Sequence, residues 1–585
     1  MNNRRMKSES RLEALWAALF YAALTAGMTW PLVTRMGSQL VGEIGDNIYF
    51  VWMIGWMQKA LFQLHVNPFD VWFLNFPEGW NMAYTEITPA QLALALPFSF
   101  IGGPAFAYNA AMLLTFVLSG LGMFLWVRRL TGSSSAALVA GTIFAFIPYR
   151  FAHFLIGHLN LSGTQWFPFY FMNLFAWLDP RKEPDLKPAL GAGIFLGLIG
   201  LTSQYYLYMA VLVTAVILLV HLGFTARRRL YSKHFWQTAT GFGLAALPLV
   251  LLAVAPYVTL SAQGGLPDRG LGIVRTYSAS PTDFLLPSTD HFLWGKWVGD
   301  HFNREMWIEG TLYIGLVSLV LAGTAWVNRR RLPNGWLLPL LGWGGLFALV
   351  MALGTDLHWN GAPVEIAVPG FLRGAISRES VPVPLPGYLM FRFFPFFAKL
   401  RALMRFGVFV LVFASAAAGM GAAWLIERAR PSKRALLAAA LLGLVLVDFY
   451  PGAYKQFTPV RARAVDAWLA DQPGKGAVIQ FPFVMGEDQD QTYYTLFHGK
   501  PFVGGFFNAF PPAQYARISP VMANFPDAQS AALLGTLGVE YVLVDRASYP
   551  DLDAVRARCE ELGLRFLTEQ GGQLVFTPLH AGGAP

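Results

Sequence analysis

The chain has 585 residues, 55% of them hydrophobic and only 13% charged, with a formal net charge of +9. A soluble protein of this size has too little interior to hide so much apolar side chain, and repeated apolar runs of about 20 residues mark a polytopic α-helical membrane protein. The basic residues sit in short clusters between apolar runs instead of forming one basic face, so no nucleic-acid partner is expected, and the single cysteine, Cys559, excludes an intrachain disulfide or a cysteine metal cluster.

The basic start MNNRRMKSESRLEAL leads into a long apolar segment with no obvious small-residue cleavage site, and reads as a retained first helix. Apolar runs follow at roughly 12–34, 104–127, 134–150, 164–178, 188–203, 205–224, 235–260, 310–327, 336–353, 406–427 and 434–450. Arg4, Arg5, Lys7 and Arg11 precede the first run. Arg128 and Arg129 follow the second, Arg181, Lys182 and Lys187 the fourth, and Arg227 to Arg229 the sixth. Arg329 to Arg331 follow the eighth, and Arg428, Arg430, Lys433 and Arg434 the tenth. Every second connection is basic. The positive-inside rule then predicts a cytoplasmic N-terminus, eleven spans, and a tail from Pro451 on the outer side of the membrane.

The first external loop, 35–103, carries Glu43, Asp46, Asp70, Glu78 and Glu86 between apolar runs that are almost free of acid. Asn47 to Gln63 mixes aromatic residues with Lys59, which predicts a helix along the membrane surface. Thr88 to Gly103 is apolar but interrupted by Pro89 and Pro97, which predicts a second, half-inserted helix. The loop thus reads as two interfacial helices joined by a connector rich in proline and aromatic residues. Beyond Pro451 charges return and strand and helix patterns alternate, predicting a small α/β domain of about 130 residues. The expected organisation is a transmembrane domain over 1–450 and an extracytoplasmic α/β domain over 451–585. The latter is expected to assist acceptor or partner binding without a catalytic acid, His498 and Lys500 being its contact residues or simply turn residues.

Asp46, in GEIGDN, reads either as a helix N-cap or as a general base or metal ligand at the external face. Glu43 and Glu86 are the neighbouring carboxylates. Oxygen ligands of this kind suit Mg²⁺ or Mn²⁺. In PYRFAHFLIGHLNL, Arg150, His153 and His158 crowd a short turn. Their spacing is not that of a HExxH metal pair, and they read as carbonyl-bonding residues or as contacts to a phosphate or a sugar hydroxyl. Tyr277, Asp283 and His291 in the 261–309 loop, with Glu309 after them, are residue types found at sugar sites; a packed external loop explains them equally well. Lys399, Arg401 and Arg405 lie on the outer side against the charge trend. They suit a lipid phosphate, because guanidinium binds phosphate through two donors, or pairing with first-loop carboxylates. Opposite charges on the same side lead to the expectation that Asp46 shares a cavity with Arg401 and Arg405.

This layout resembles the GT-C superfamily of lipid-linked glycosyltransferases. The resemblance lies in one span, a long external loop with an early carboxylate, further spans, then an external C-terminal domain. The phrases GDNIYFVWMIGW, FPEGWNMA, RRLTGSSSAALVAGTIFAFIPYRFAHFLIGHLNL, LRALMRF and LFHGKPFVGGF resemble a bacterial branch of such proteins. The resemblance implies transfer of a sugar from a polyprenyl-phosphate donor to a glycan, lipid or protein acceptor outside the membrane. The superfamily's first-loop acid, which activates the acceptor or holds a metal, falls on Asp46. The second acidic motif of many members has no counterpart, because the corresponding loop holds Arg150, His153 and His158 and no acid. The alternatives are a transporter or flippase of a lipid-linked glycan, which would need polar residues lining a path, and a non-catalytic assembly factor of the same fold.

Overall fold

The computed structural model describes residues 2–303, 305–368, 370, 379–506 and 511–579. All eleven apolar runs are helical. Among the described residues, five helical segments are long and apolar enough to cross a membrane: Pro89–Thr131, Ser134–Ile156, Gln204–Thr225, Lys233–Ala262 and Leu403–Arg428. Shorter apolar helices cover Leu186–Thr202, Leu316–Val327 and Leu337–Ala352. The chain therefore has the character of a multi-pass membrane protein. It divides into two compact units. One holds Met1–Thr34, Thr88–Gln91 and Ala111–Lys455; the other holds Arg35–Ile87, Leu92–Ala110 and Gln456–Pro585.

In the helical unit, the helix Gly407–Arg428 packs against Ser134–Ala145, Leu316–Val327 and Leu337–Ala352. Small residues allow this close approach. A Cβ on Gly421 would collide with the Leu321 carbonyl oxygen, and one on Gly419 would fall 2.6 Å from the Ala140 Cβ. The run expected at 134–150 is two helices, Ser134–Ala145 and Pro148–Ile156. Pro148 causes the break: it disfavours helical backbone at the residue before it and starts the next helix at a position where no N–H is needed.

The other unit joins the first loop to the C-terminal segment. Gln39–Val41 pairs antiparallel with Phe457–Pro459. The Asn75 and Phe76 amides donate to Gly504 and Phe502, and the Gln514 amide donates back to the Asn75 and Phe76 carbonyls. The change of unit at Lys455/Gln456 lies close to the boundary expected at Pro451. Residues 35–87 and 92–110, expected within the 1–450 domain, instead group with the tail, because β-pairing and backbone hydrogen bonds tie them there. The sheet runs in the order Leu564–Gln570, Gln573–Pro578, Val539–Asp545, Ala477–Phe481, the last pair parallel and the others antiparallel. A parallel pair needs a crossover. Met485–His498, Ala513–Met522 and Ala528–Thr536 provide it. The first two of these helices escaped the sequence reading. His498 and Lys500 are both buried; Lys500 donates to the Gln472 and Gly474 carbonyls and its amide to His498, which is a turn-forming role.

The first expected interfacial helix needs correction. The helix Asp46–Lys59 is enclosed by protein, with Asn47 to Ile54, Trp56 and Met57 all buried, and it packs against Met485–His498. Tyr49, Trp52 and Trp56 stack in a row at 6.2 and 6.4 Å, and Trp56 meets Phe73 at 4.9 Å. Its aromatic residues serve a core and not a headgroup layer. The second expected helix, Thr88 to Gly103, is separate from the run that follows it: within Pro89–Thr131 the backbone leaves helical geometry at Gly103, whose φ of +78° divides the segment into two helices. Only glycine adopts that conformation without strain. An added Cβ at Gly103 meets nothing within 4 Å, so the strain is purely backbone. Gly103→Ala should therefore destabilise the protein by about 1–3 kcal/mol, read as a lower unfolding midpoint in detergent, whereas Gly27→Ala, also in open space at negative φ, should not.

Candidate functional site

The helical unit buries a cluster of charge. The short helix Trp307–Gly310 carries Glu309, and the 3₁₀ turn Leu403–Phe406 at the head of Gly407–Arg428 carries Arg405. Arg405 Nε donates to Glu309 Oε1 at 3.0 Å and Nη2 to the same oxygen at 2.6 Å. Both side chains are 5% exposed. The guanidinium also lies over the Tyr205 ring, 4.8 Å from its centroid. His153 Nε2 stands 3.9 Å from Glu309 Oε2, and His153 Nδ1 shares one hydrogen bond with His158 Nδ1 at 2.7 Å, so one ring donates and the other accepts. Burial alone would push the Glu309 carboxyl up. The Arg405 guanidinium, supported by His153 and His158, outweighs burial and holds it well below the usual carboxylate range. Four residues singled out from separate segments thus meet: His153, His158, Glu309 and Arg405.

Arg150 lies in the same unit but is enclosed. Nη1 donates to Ser119 Oγ at 2.8 Å, to Thr164 Oγ1 and to the Ser162 carbonyl. Nη2 donates to Thr115 Oγ1 at 2.8 Å. The guanidinium sits 4.3 Å over the Phe116 ring. Every hydrogen-bond partner is neutral. A buried guanidinium normally needs a carboxylate, and its isolation costs several kcal/mol unless hydrogen bonds and ring contacts offset it. The residues missed from sequence are the ones around it and around the histidines. Tyr149 shares a 2.7 Å hydrogen bond with Tyr206, which donates to the Leu161 carbonyl, while Gln165 donates to Gln91 and Gln91 to the Leu159 carbonyl. The stretch Gly157–Gln165, expected as an external turn, is almost entirely buried. Its density of polar residues between two apolar runs was the available signal.

The other candidates are placed as follows. Arg401 is half-buried, its guanidinium 5.0 Å from the centroid of the Tyr277 ring. Lys399 donates to the Leu266 carbonyl at 2.6 Å and pairs with Asp268 at 3.2 Å. Asp283 caps a helix, accepting from the Ser280 amide at 2.7 Å. His291 Nδ1 accepts from the Leu293 and Trp294 amides, which leaves Nε2 to donate to the Val447 carbonyl at 3.2 Å. Asp283 and His291 thus hold loop backbone.

In the other unit, Asp46 occupies the first turn of its helix, with Gly45 at the N-cap position. The local capping falls to Asn47. Its side-chain oxygen accepts from the Gly45 and Ile48 amides and its nitrogen donates to the Val41 and Glu43 carbonyls. Asp46 is therefore half-exposed on a rigid, otherwise buried helix, within electrostatic reach of Tyr108. Glu43 is exposed and accepts from Gln456 at 3.1 Å, and Glu86 is half-buried. Among the described residues no three His, Cys, Asp or Glu side chains gather to hold a metal ion.

Removing one member of a buried ion pair strands the other. Glu309→Gln should lower stability by about 3–5 kcal/mol, whereas the double replacement Glu309→Leu with Arg405→Met should recover most of that loss. Unfolding midpoints of the purified variants check both.

No curated protein is significantly similar in sequence. Among solved structures, the chain is similar to the arabinofuranosyltransferase AftD from mycobacteria, with a TM-score of 0.56 and 14% identity over 97% of this chain and 40% of that one. It is similar to the oligosaccharyltransferase of Archaeoglobus fulgidus in the apo form, with a TM-score of 0.53 and 13% identity over 97% of this chain and 74% of that one. ArnT from Cupriavidus metallidurans aligns over 97% of this chain and 99% of its own at a TM-score of 0.47 and 13% identity. The chain spans about two fifths of the length of AftD. At these identities the likeness to AftD and to the archaeal oligosaccharyltransferase is one of fold alone. Residues 14–378, more than half of the sequence, match the family described as domain of unknown function DUF6311, and the chain belongs to that family.

Proposed function

We propose that the protein is a membrane glycosyltransferase of the GT-C type, moving a sugar from a polyprenyl-phosphate donor to an extracytoplasmic acceptor. The observation that carries this reading is Asp46. It is a partly exposed carboxylate at the start of a helix in which Asn47 to Ile54, Trp56 and Met57 are buried, in the loop position where the superfamily places its acid. The fold correspondence with AftD and the archaeal oligosaccharyltransferase supports the class. Fold alone does not assign a reaction, so the assignment rests on the residues.

In this reading Asp46 takes the proton of the acceptor hydroxyl as that oxygen bonds to the sugar's anomeric carbon. The bond from that carbon to the phosphate oxygen breaks, and polyprenyl phosphate leaves with the electron pair. Glu43 and Glu86 tune the field around the base. Of the cations expected to meet the phosphate, Arg405 is neutralised by Glu309, Lys399 by Asp268, and Arg150 is enclosed. Arg401, engaged with the face of a tyrosine ring among the described contacts, is the cation of the helical unit left to bind a donor phosphate.

With a polyprenyl-phosphate sugar as donor, Asp46→Asn should lower kcat by about 10²–10⁴ while sparing donor binding. Arg401→Ala should raise the donor KM. Full turnover in Asp46→Asn would remove the assignment and favour a non-catalytic role.

The proposed topology has its own test. Cys559 is buried, so it does not report sidedness. In a Cys559→Ala background, a cysteine at exposed Glu561 should react with an impermeant maleimide added to intact cells. Reaction only after the inner membrane is opened would reverse the orientation.

A further inference from the structure

Of the buried polar atoms in the helical unit with no hydrogen-bond partner among the described residues, five belong to residues on and around the stretch that carries Arg150 and the two histidines: Thr88 Oγ1, Arg150 Nε, His153 Nε2, Ser162 Oγ and Gln165 Oε1. All five residues are at 0% exposure. They belong to two hydrogen-bonded sets that meet along the chain between His158 and Ser162. The Gln91 amide donates to the Thr88 carbonyl, and the Gln91 side chain links Gln165 to Leu159. Arg150 bonds the Ser162 carbonyl, the Ser162 amide bonds the His158 carbonyl, and His158 shares a hydrogen bond with His153. Thr88 stands at a helix N-cap position, yet its hydroxyl makes no cap. A native interior leaves few such groups unmet, and two adjoining sets of them call for a common ligand.

We propose that this network encloses a chain of internal waters running from His153 and Glu309, past Arg150 and Ser162, to Gln165 and Thr88. The chemistry of the five atoms selects water. Arg150 Nε only donates, Gln165 Oε1 only accepts, the two hydroxyls do both, and His153 Nε2 does either according to tautomer. An anion would satisfy Arg150 and leave Gln165 unmet, and a cation would do the reverse. A buried water makes two to four hydrogen bonds of both kinds. Such a chain explains how Arg150 keeps its charge among neutral partners, and it gives the enclosed His153–His158 pair and Glu309 a medium with which to exchange protons.

Millisecond X-ray radiolysis of the full-length protein in lipid nanodiscs, followed by mass spectrometry, tests this, because the radicals arise from water in place. Tyr149 meets His153 at 4.3 Å between ring centroids and is fully buried. Phe171 and Phe413 are buried as well, meet edge to face at 4.7 Å and carry no polar side-chain atom. If waters line the network, Tyr149 and His153 should oxidise at least about tenfold faster than Phe171 and Phe413. Equal rates would overturn the proposal. The double replacement Thr88→Val and Ser162→Val should slow oxidation of His153 several-fold and leave Phe413 unchanged; an unaltered His153 rate would overturn it as well. The comparison within the unmodified protein decides the matter even if the double variant fails to fold.

Discussion

A guanidinium inside an apolar bundle has to be answered, and the helical unit is arranged around the two answers it makes. Arg405 is met by a carboxylate from a four-residue helix nearly a hundred positions away in sequence, with two histidines behind that carboxylate. This ties the head of the helix Gly407–Arg428 to the turn before Leu316–Val327 and to the end of Pro148–Ile156. Arg150 is met by hydroxyls and a carbonyl from two further segments. Between them the two arginines draw the polar stretch Gly157–Gln165 into the interior. Apolar packing holds the rest of the bundle, but it is directionless. The charged contacts give it a register.

The other unit depends on a different constraint. Backbone groups of the first loop must be paired, and they find their partners in the tail: a short antiparallel ladder with Phe457–Pro459 and a set of hydrogen bonds around Asn75, Phe76 and Gln514. The rigid seat this gives the helix Asp46–Lys59 is what makes Asp46 a credible base. A carboxylate on a loop would sample many positions, whereas one at the start of a buried helix is held, and holding a reacting group in place accounts for much of what a catalytic residue contributes.

Pairing also narrows the choice among the outer cations. From sequence, Lys399, Arg401 and Arg405 were equivalent candidates for a phosphate. Asp268 and Glu309 remove two of them from that role by local neutralisation, and aromatic contact leaves the third with its hydrogen-bonding edge less occupied. The same filter applies to the acids and imidazoles of the 261–309 loop. Asp283 and His291 are committed to backbone amides, and that work would be needed in any ordered loop.

What the sequence determined by itself was the membrane character, the helical nature of every apolar run, the composition change near Pro451, and strands read at Ala477 to Phe483, Glu540 to Asp545, Leu564 to Thr568 and Gln573 to Thr577. Each of these rests on local periodicity or on charge between runs, and such signals survive without knowledge of partners. It also picked out Arg150, His153, His158, Glu309 and Arg405 one by one, because charge amid apolar residues is conspicuous. Only the tertiary structure decided which of them meet, that Gly157–Gln165 lies inside, that the aromatic face of Asp46–Lys59 is a core, and that the first loop belongs with the tail. The physical reason is the same in each case. An aromatic or polar residue has the same local signature whether its partner is a lipid headgroup, water or another segment hundreds of residues away, and long-range pairing settles the choice.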